Sequence, residues 1–468
     1  MRAPAAALAV ALLLGGCAPR LWDLPPPPVI DAPVVDAGRL TTADLENGLR
    51  VIVLTDRRLP RVSLGLIARR GADSVPIEHA GLASLSAELM KRGAGDWDAV
   101  ALAEQIDRLG ASLAVSAGWD SMEVAVSGLS RDFDRLLEIL TAVVRRPRFD
   151  APEVESARSQ RLASLEQAKD EPATLAFWNL ARALYPEHRF GIPIEGAPAS
   201  VAGLDAAALR AYHARVFVAR NAILFASGDV EGAAFVSQAR SVFGDWPAGE
   251  VPEPGPPPPT PTPPERSVVI VDRPDLGQAQ ILLGHDGIAR TNPDRIAVEV
   301  MNTILGSGGF SSRLMQRIRA EGGLTYGVYS AFTMRRQPGP FFVSAATRVA
   351  EAGRVVDLIL EEMSAARDAA PTPDEVQSAK SGIAGRFVLG LETSDAVVGS
   401  LVNLDVYGLP ADSLDTFRGR LGRVGVGDVQ SAARERLWPE RAAIVAVGPA
   451  ESLRPLLERF GPVRVVEP

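Results

Sequence analysis

Two periods of hydrophobic and polar positions alternate along this chain. Apolar runs or strict alternation mark strands at VIVLTD (51–56), VSLGLIARR (62–70), SLAVSAG (112–118) and MEVAVSGL (122–129). Segments near 80–92, 98–109, 130–145, 150–184 and 205–217 carry helical spacing instead. The same order then returns, with strands at SVVIVD (267–272), QAQILLGH (278–285), LTYGVYSAF (324–332) and FFVSAAT (341–347), followed by helices from about 350 to 394. Strands come in adjacent pairs rather than alternating strictly with helices. The pattern therefore predicts an α+β fold in which each half is a mainly antiparallel sheet with helices packed on one face.

Between the halves, PAGEVPEPGPPPPTPTPPER (247–266) has neither period and reads as a linker. Internal similarity supports two copies of one design. Val154, Ser156, Ala157 and Ser159 of PEVESARS match Val376, Ser378, Ala379 and Ser381 of DEVQSAKS, an offset of 376 − 154 = 222. Arg220-Asn221-Ala222-Ile223 is echoed by Arg441-Ala442-Ala443-Ile444, an offset of 441 − 220 = 221. Agreement of two windows at offsets one residue apart favours duplication. The predicted domains are 39–246 and 267–468.

The start of the chain belongs to neither. Arg2 precedes an apolar run from Ala3 to Leu14, too short to span a bilayer but suited to a signal peptide over residues 1–16. The run ends in Leu14-Gly15-Gly16-Cys17, which resembles a bacterial lipobox, and Cys17 is the single cysteine of the sequence. This predicts lipidation at Cys17, with residues 17–38 as a proline-rich spacer from the membrane. Ala18 rather than aspartate follows the cysteine, which points to an outer-membrane lipoprotein facing the periplasm. A chain of 468 residues, 47% hydrophobic, can build a real core in each half, and a net charge of −8 argues against nucleic acid as a partner.

Several local patterns converge on one family. Leu45-Glu46-Asn47-Gly48-Leu49-Arg50-Val51, Pro60-Arg61-Val62-Ser63-Leu64, Gly81-Leu82-Ala83 and the run from Tyr185 to Gly196 resemble the first half of pitrilysin/insulinase zinc metallopeptidases. Leu305-Gly306, Phe310-Ser311-Ser312-Arg313-Leu314, Arg319 and Gly323-Leu324-Thr325-Tyr326 resemble the second half. The resemblance implies two homologous domains forming half of a clamshell around a peptide substrate. It also implies His-x-x-Glu-His on one helical turn, two zinc ligands and a general base. Here Ser84 and Glu88 stand at the ligand positions and Ala87 at the base. The third ligand position falls on Ser164, counted back from Asp170-Glu171-Pro172, or on Glu166 two residues away. The four histidines, His79, His188, His213 and His285, share no helical turn and rebuild no site. The helix itself reads as a core element, with Leu82, Leu85 and Leu89 as its apolar stripe and Gly93 as its stop.

The resemblance assigns Arg319 and Tyr326 to substrate binding, as donors to a peptide carbonyl held over the zinc of a second chain. The expectation is thus a chain with no metal or cofactor of its own, zinc being carried by a partner. That partner is a zinc-bearing family chain in a heterodimer, or a second copy in a homodimer. Two alternatives stand beside it: a stand-alone envelope scaffold or peptide-binding protein, and an autonomous metallopeptidase with unusual ligands.

Overall fold

The computed structural model describes residues 33–259 and 263–468. Cys17, the signal segment and most of the spacer lie outside the described residues. The first half builds a six-stranded sheet from β1 (Leu40–Asp44), β2 (Arg50–Thr55), β3 (Arg61–Ala68), β6 (Ser112–Ala117), β7 (Met122–Leu129) and β8 (Ala222–Gly228), in the order β1-β2-β8-β3-β7-β6. The short pair β4 (Gly93–Ala94) and β5 (Trp97–Asp98) forms a separate ribbon. Only β2 and β8 run parallel; the other neighbours are antiparallel. The second half repeats the plan with β9 (Ser267–Asp272), β10 (Gln278–Asp286), β11 (Thr325–Phe332), β12 (Pro340–Arg348), β13 (Ala443–Gly448) and β14 (Val463–Val466), ordered β11-β12-β10-β13-β9-β14. Five strands correspond one to one between the sheets. The edge differs: β1 pairs antiparallel to β2, whereas β14 pairs parallel to β9.

Inward-facing residues alternate along these strands. Val51, Val53, Leu64, Leu66, Val124 and Leu224 join the core beneath the first half's helices. Those helices are α1 (Leu82–Leu89), α2 (Ala99–Leu109), α3 (Phe133–Arg145), α4 (Ala151–Gln167), α5 (Pro172–Leu184), α6 (Pro198–Ala202), α7 (Ala206–Val216) and α8 (Gly232–Phe243). The helical segment read over 150–184 consists of α4 and α5, separated by a turn at Ala168–Asp170. Pro172 explains the break, since the residue before a proline is pushed out of the helical region, and Glu171 is extended at φ −98°, ψ 105°.

The alternate residues of the same strands, Ile52, Leu54, Ile67, Ile223 and Phe225, are buried too, against Val397, Val398, Val402 and Val406. These valines belong to α12 (Ser394–Tyr407), one of the second half's helices α9 (Arg295–Asn302), α10 (Ala352–Asp368), α11 (Pro373–Leu389), α12, α13 (Phe417–Arg423), α14 (Val426–Arg436) and α15 (Ala450–Leu457). In return, Leu175, Ala176, Leu180 and Leu184 of α5 cover Val269, Val271, Leu282 and Val445 of the second sheet. The two helices start 394 − 172 = 222 residues apart, the offset found in the sequence. Each sheet is thus covered on one face by its own half's helices and on the other by one helix from the opposite half. Polar contacts reinforce the exchange: Asp395 accepts from Ser63 at 3.0 Å and pairs with Arg61 at 3.1 Å, while Tyr407 donates to Asp120 at 2.9 Å.

The proline-rich linker is fastened rather than free along residues 247–256. Proline carbonyls have no strand partner, and side chains from both halves use them and their neighbours. Arg70 Nε donates to the Pro252 carbonyl at 2.7 Å, and His188 Nε2 lies 2.7 Å from that of Pro256. From the second half, Gln337 donates to the Gly255 carbonyl at 2.6 Å. His188 is therefore a clasp. His213, on α7, bonds the Val144 carbonyl at 2.8 Å, and buried His285 accepts from the Trp438 amide at 3.1 Å.

Candidate functional site

Helix α1 begins at Gly81, whose φ of 102° and proximity to Gly196 leave no space for a side chain: a Cβ would stand 2.9 Å from the Glu195 carbonyl. Leu82, Leu85 and Leu89 face the core, as the spacing predicts. Ser84, Ala87 and Glu88 lie along open depressions of about 670 and 610 Å³ that share Ser84, Glu88 and Arg161.

Arg161, on α4, fills the place between the two side chains at the ligand positions. Its guanidinium donates to Ser84 Oγ at 3.0 Å and to Glu88 Oε2 at 3.0 Å, with the side chain only 14% exposed. Arg92 takes the other oxygen, Glu88 Oε1, at 2.6 Å, and also bonds Gln160 at 2.7 Å. Ser84 Oγ returns a bond to the Gly81 carbonyl at 3.1 Å. The Ser84 hydroxyl and both Glu88 oxygens thus all have protein partners.

Of the two candidates for the third ligand, Ser164 lines the same depression and bonds the Gln160 carbonyl at 2.9 Å. Glu166 is elsewhere, largely exposed and paired with Lys169 at 3.0 Å. A zinc ion does not fit this set. Two hydroxyls are poor ligands, Glu88 is held by two guanidiniums, and no third or fourth N, S or O donor converges with them. Among the described residues no group of three or more His, Cys, Asp or Glu side chains is placed to hold a metal ion. A guanidinium stays protonated and offers no coordination position to a water molecule, so Arg161 provides charge without the metal's chemistry.

The second predicted pair is brought together. Arg319 sits on a π-helical turn, Met315–Glu321, and Tyr326 follows at the start of β11. A bulge in β11 leaves one extra residue between Thr325, opposite Thr347, and Val328, opposite Ala345, and turns Tyr326 outward, where it is 89% exposed. The Arg319 guanidinium lies 5.0 Å from the Tyr326 ring centre and 4.5 Å from that of Phe310, itself 69% exposed. Two aromatic faces thus hold one cation, an arrangement worth about 0.5–1 kcal/mol per face at exposed sites. Among the described residues the Arg319 side chain makes no hydrogen bond or ion pair, so its guanidinium donors are free. Nearby, Arg313 pairs with Glu375 at 2.7 and 2.9 Å, which holds that carboxyl down to about 2 and ties the segment to α11.

Sequence reasoning missed Arg161. It lies three residues before Ser164, one turn along the same helix face, which was the available signal.

The profile of insulinase (peptidase family M16) matches residues 50–198, and that of the peptidase M16 inactive domain matches residues 203–383. A solved peptidase M16 inactive domain from Pseudomonas fluorescens superposes with a TM-score of 0.80 at 30% sequence identity, covering 88% of this chain and 98% of that one. The chain belongs to the M16 peptidase family. Relatives named as uncharacterized zinc proteases occur in Streptomyces coelicolor, 26% identical over 418 residues (88% of this chain, 90% of the relative), and in Mycobacterium tuberculosis, 29% identical over 429 residues (91% and 96%). A Helicobacter pylori protease shares the fold, with a TM-score of 0.78 at 17% identity over 88% of this chain and 99% of that one. Within this M16 chain, the first half carries Arg161 where the family's metal chemistry is expected.

Proposed function

We propose that this M16 chain is a non-catalytic, lipid-anchored subunit that supplies half of a peptide-binding chamber to a zinc-bearing chain of the same family. The observation that carries the reading is the paired network on α1, in which Arg161 and Arg92 neutralise Glu88 and Ser84 leaves no ligand for zinc. The free donors of Arg319 and the exposed hydroxyl of Tyr326 support a role toward a peptide bound by the partner. Cys17 is the proposed attachment point, and the outer membrane, periplasmic side, the proposed address.

The test is purification of the tagged chain from its own host, followed by identification of bound proteins and peptide-cleavage assays with and without them. A co-purifying M16 chain that bears His-x-x-Glu-His and cleaves peptides faster in the complex is the expected result. Recovery of the chain alone or as a homodimer, with no hydrolysis, would replace this reading with the scaffold or peptide-binding one. Cys17→Ser should yield an unprocessed or soluble form; unchanged fractionation with the outer membrane would remove the anchor from the proposal.

A further inference from the structure

A cavity of about 470 Å³ opens in the second half between α9, α11, α12 and the start of α13. That size lies within the range of small-ligand sites. Its walls are of two kinds. Phe332, Ile383, Phe387 and Phe417 contribute apolar surface, while Arg290, Arg295 and Arg386 set three guanidinium groups against one carboxylate, Glu299. None of these residues belongs to α1 or to the Phe310–Tyr326 cluster.

The charges are poorly satisfied. Arg295 and Glu299 are four residues apart on α9, a spacing at which opposite charges usually pair. Among the described residues neither of them, nor Arg290 or Arg386, makes a side-chain hydrogen bond or ion pair. Arg290 Nε is buried without a partner, and its guanidinium lies 5.7 Å from the Tyr407 ring centre. Burial, and then the neighbouring Arg290, lower the Arg295 guanidinium from its ordinary value. Burial raises the Glu299 carboxyl despite the pull of the three arginines. Convergent, partly desolvated guanidiniums without acceptors are costly unless an anion completes them.

We propose that this cavity binds a small amphipathic carboxylate, its anionic head among Arg290, Arg295 and Arg386 and its apolar body against Phe332, Phe387 and Phe417. A carboxylate matches the planar forks of the guanidiniums. Inorganic phosphate would satisfy the same donors but leave the aromatic wall in water.

Calorimetric titration of the purified full chain with 3-phenylpropionate tests the proposal, with 3-phenylpropan-1-ol and inorganic phosphate as controls. Saturable binding of one 3-phenylpropionate per chain is expected, tighter than either control. Arg295→Gln should weaken it by about tenfold or more, since a hydrogen bond to a charged group is lost. Glu299→Gln should tighten it, because the opposing carboxylate is gone. Should Arg295→Gln fail to fold, the opposite-signed effect of Glu299→Gln decides the question. Absence of saturable binding, binding indifferent to both substitutions, or equal affinity for the alcohol or for phosphate would overturn the proposal.

Discussion

Two arginines in this molecule are held in opposite circumstances. Arg161 is nearly buried and spends its donors on Ser84 and Glu88 of its own chain, closing the face of α1. Among the described residues Arg319 is clasped by the rings of Phe310 and Tyr326, and its side chain makes no hydrogen bond. Buried polar groups are as a rule partnered within the chain, as Arg161 is, whereas exposed donors such as those of Arg319 remain open to water or a ligand. At the family's metal positions the first half sets side chains paired with one another, while the second half presents an exposed cation and phenol.

The largest effect expected from this contrast comes from rebuilding the metal site. Ser84→His, Ala87→Glu and Glu88→His together should still bind no stoichiometric zinc, because Arg161 leaves a positive charge between the new ligands and Ser164 supplies no carboxylate. Adding Arg161→Gln and Ser164→Glu should bring zinc into the protein, read by elemental analysis; tight zinc in the triple variant would refute the role given to Arg161. Next in size, Tyr326→Phe in an assembled complex should lower turnover by about 100-fold to 1000-fold if the hydroxyl serves the partner's oxyanion, with assembly unchanged. Arg319→Ala should raise KM as well. Kinetics unmoved by both changes would make the exposed cluster as structural as the closed one.

A smaller effect tests how the halves are joined. Val402→Ala, in the helix lent to the first sheet, should cost roughly 1.5–3 kcal/mol of stability in denaturant unfolding. A loss confined to the second half's unfolding would mean that the exchanged helix does not couple the two. Smallest is the response to pH, which rests on two histidines, His213 in the first half and His285 in the second. Burial pushes His213 down to about 4 and His285 down to about 3, so the unfolded chain binds their protons first as pH falls below about 6.5. Their contribution is intact above that pH and is lost as it falls toward 4. Buried Asp73, pushed up to about 6, acts in the opposite sense between pH 6 and 4 and offsets a fraction. Unfolding free energy should drop by roughly 1–2 kcal/mol between pH 7 and 5.5; constant stability over that range would contradict the burial of both imidazoles.

Much of this was legible in the sequence, for identifiable reasons. Strands β2, β3, β7, β9 and β10 announce themselves through β-branched runs, and the 222-residue offset foretold the repeated sheet. The runs AILFASG of β8 and AIVAVG of β13 lack the alternation that marks a half-exposed strand, being buried nearly throughout, and so give no such strand signal. The exchange of α5 and α12 was out of reach, because a hydrophobic stripe reveals that a helix face is buried but not which sheet covers it. Ser84, Ala87 and Glu88 could be located by spacing. The arginine that closes their face could not, since Arg161 lies on a helix whose charges read as a solvated face and meets Ser84 across 77 positions of sequence.

The most direct test of the central claim is the zinc-to-protein ratio of the chain purified on its own under native, chelator-free conditions. The account predicts a ratio far below one, with no gain on adding zinc, because Glu88, the carboxylate at a ligand position, is held by Arg161 and Arg92. One tightly bound zinc per chain would contradict it and return the protein to the catalytic members of its family.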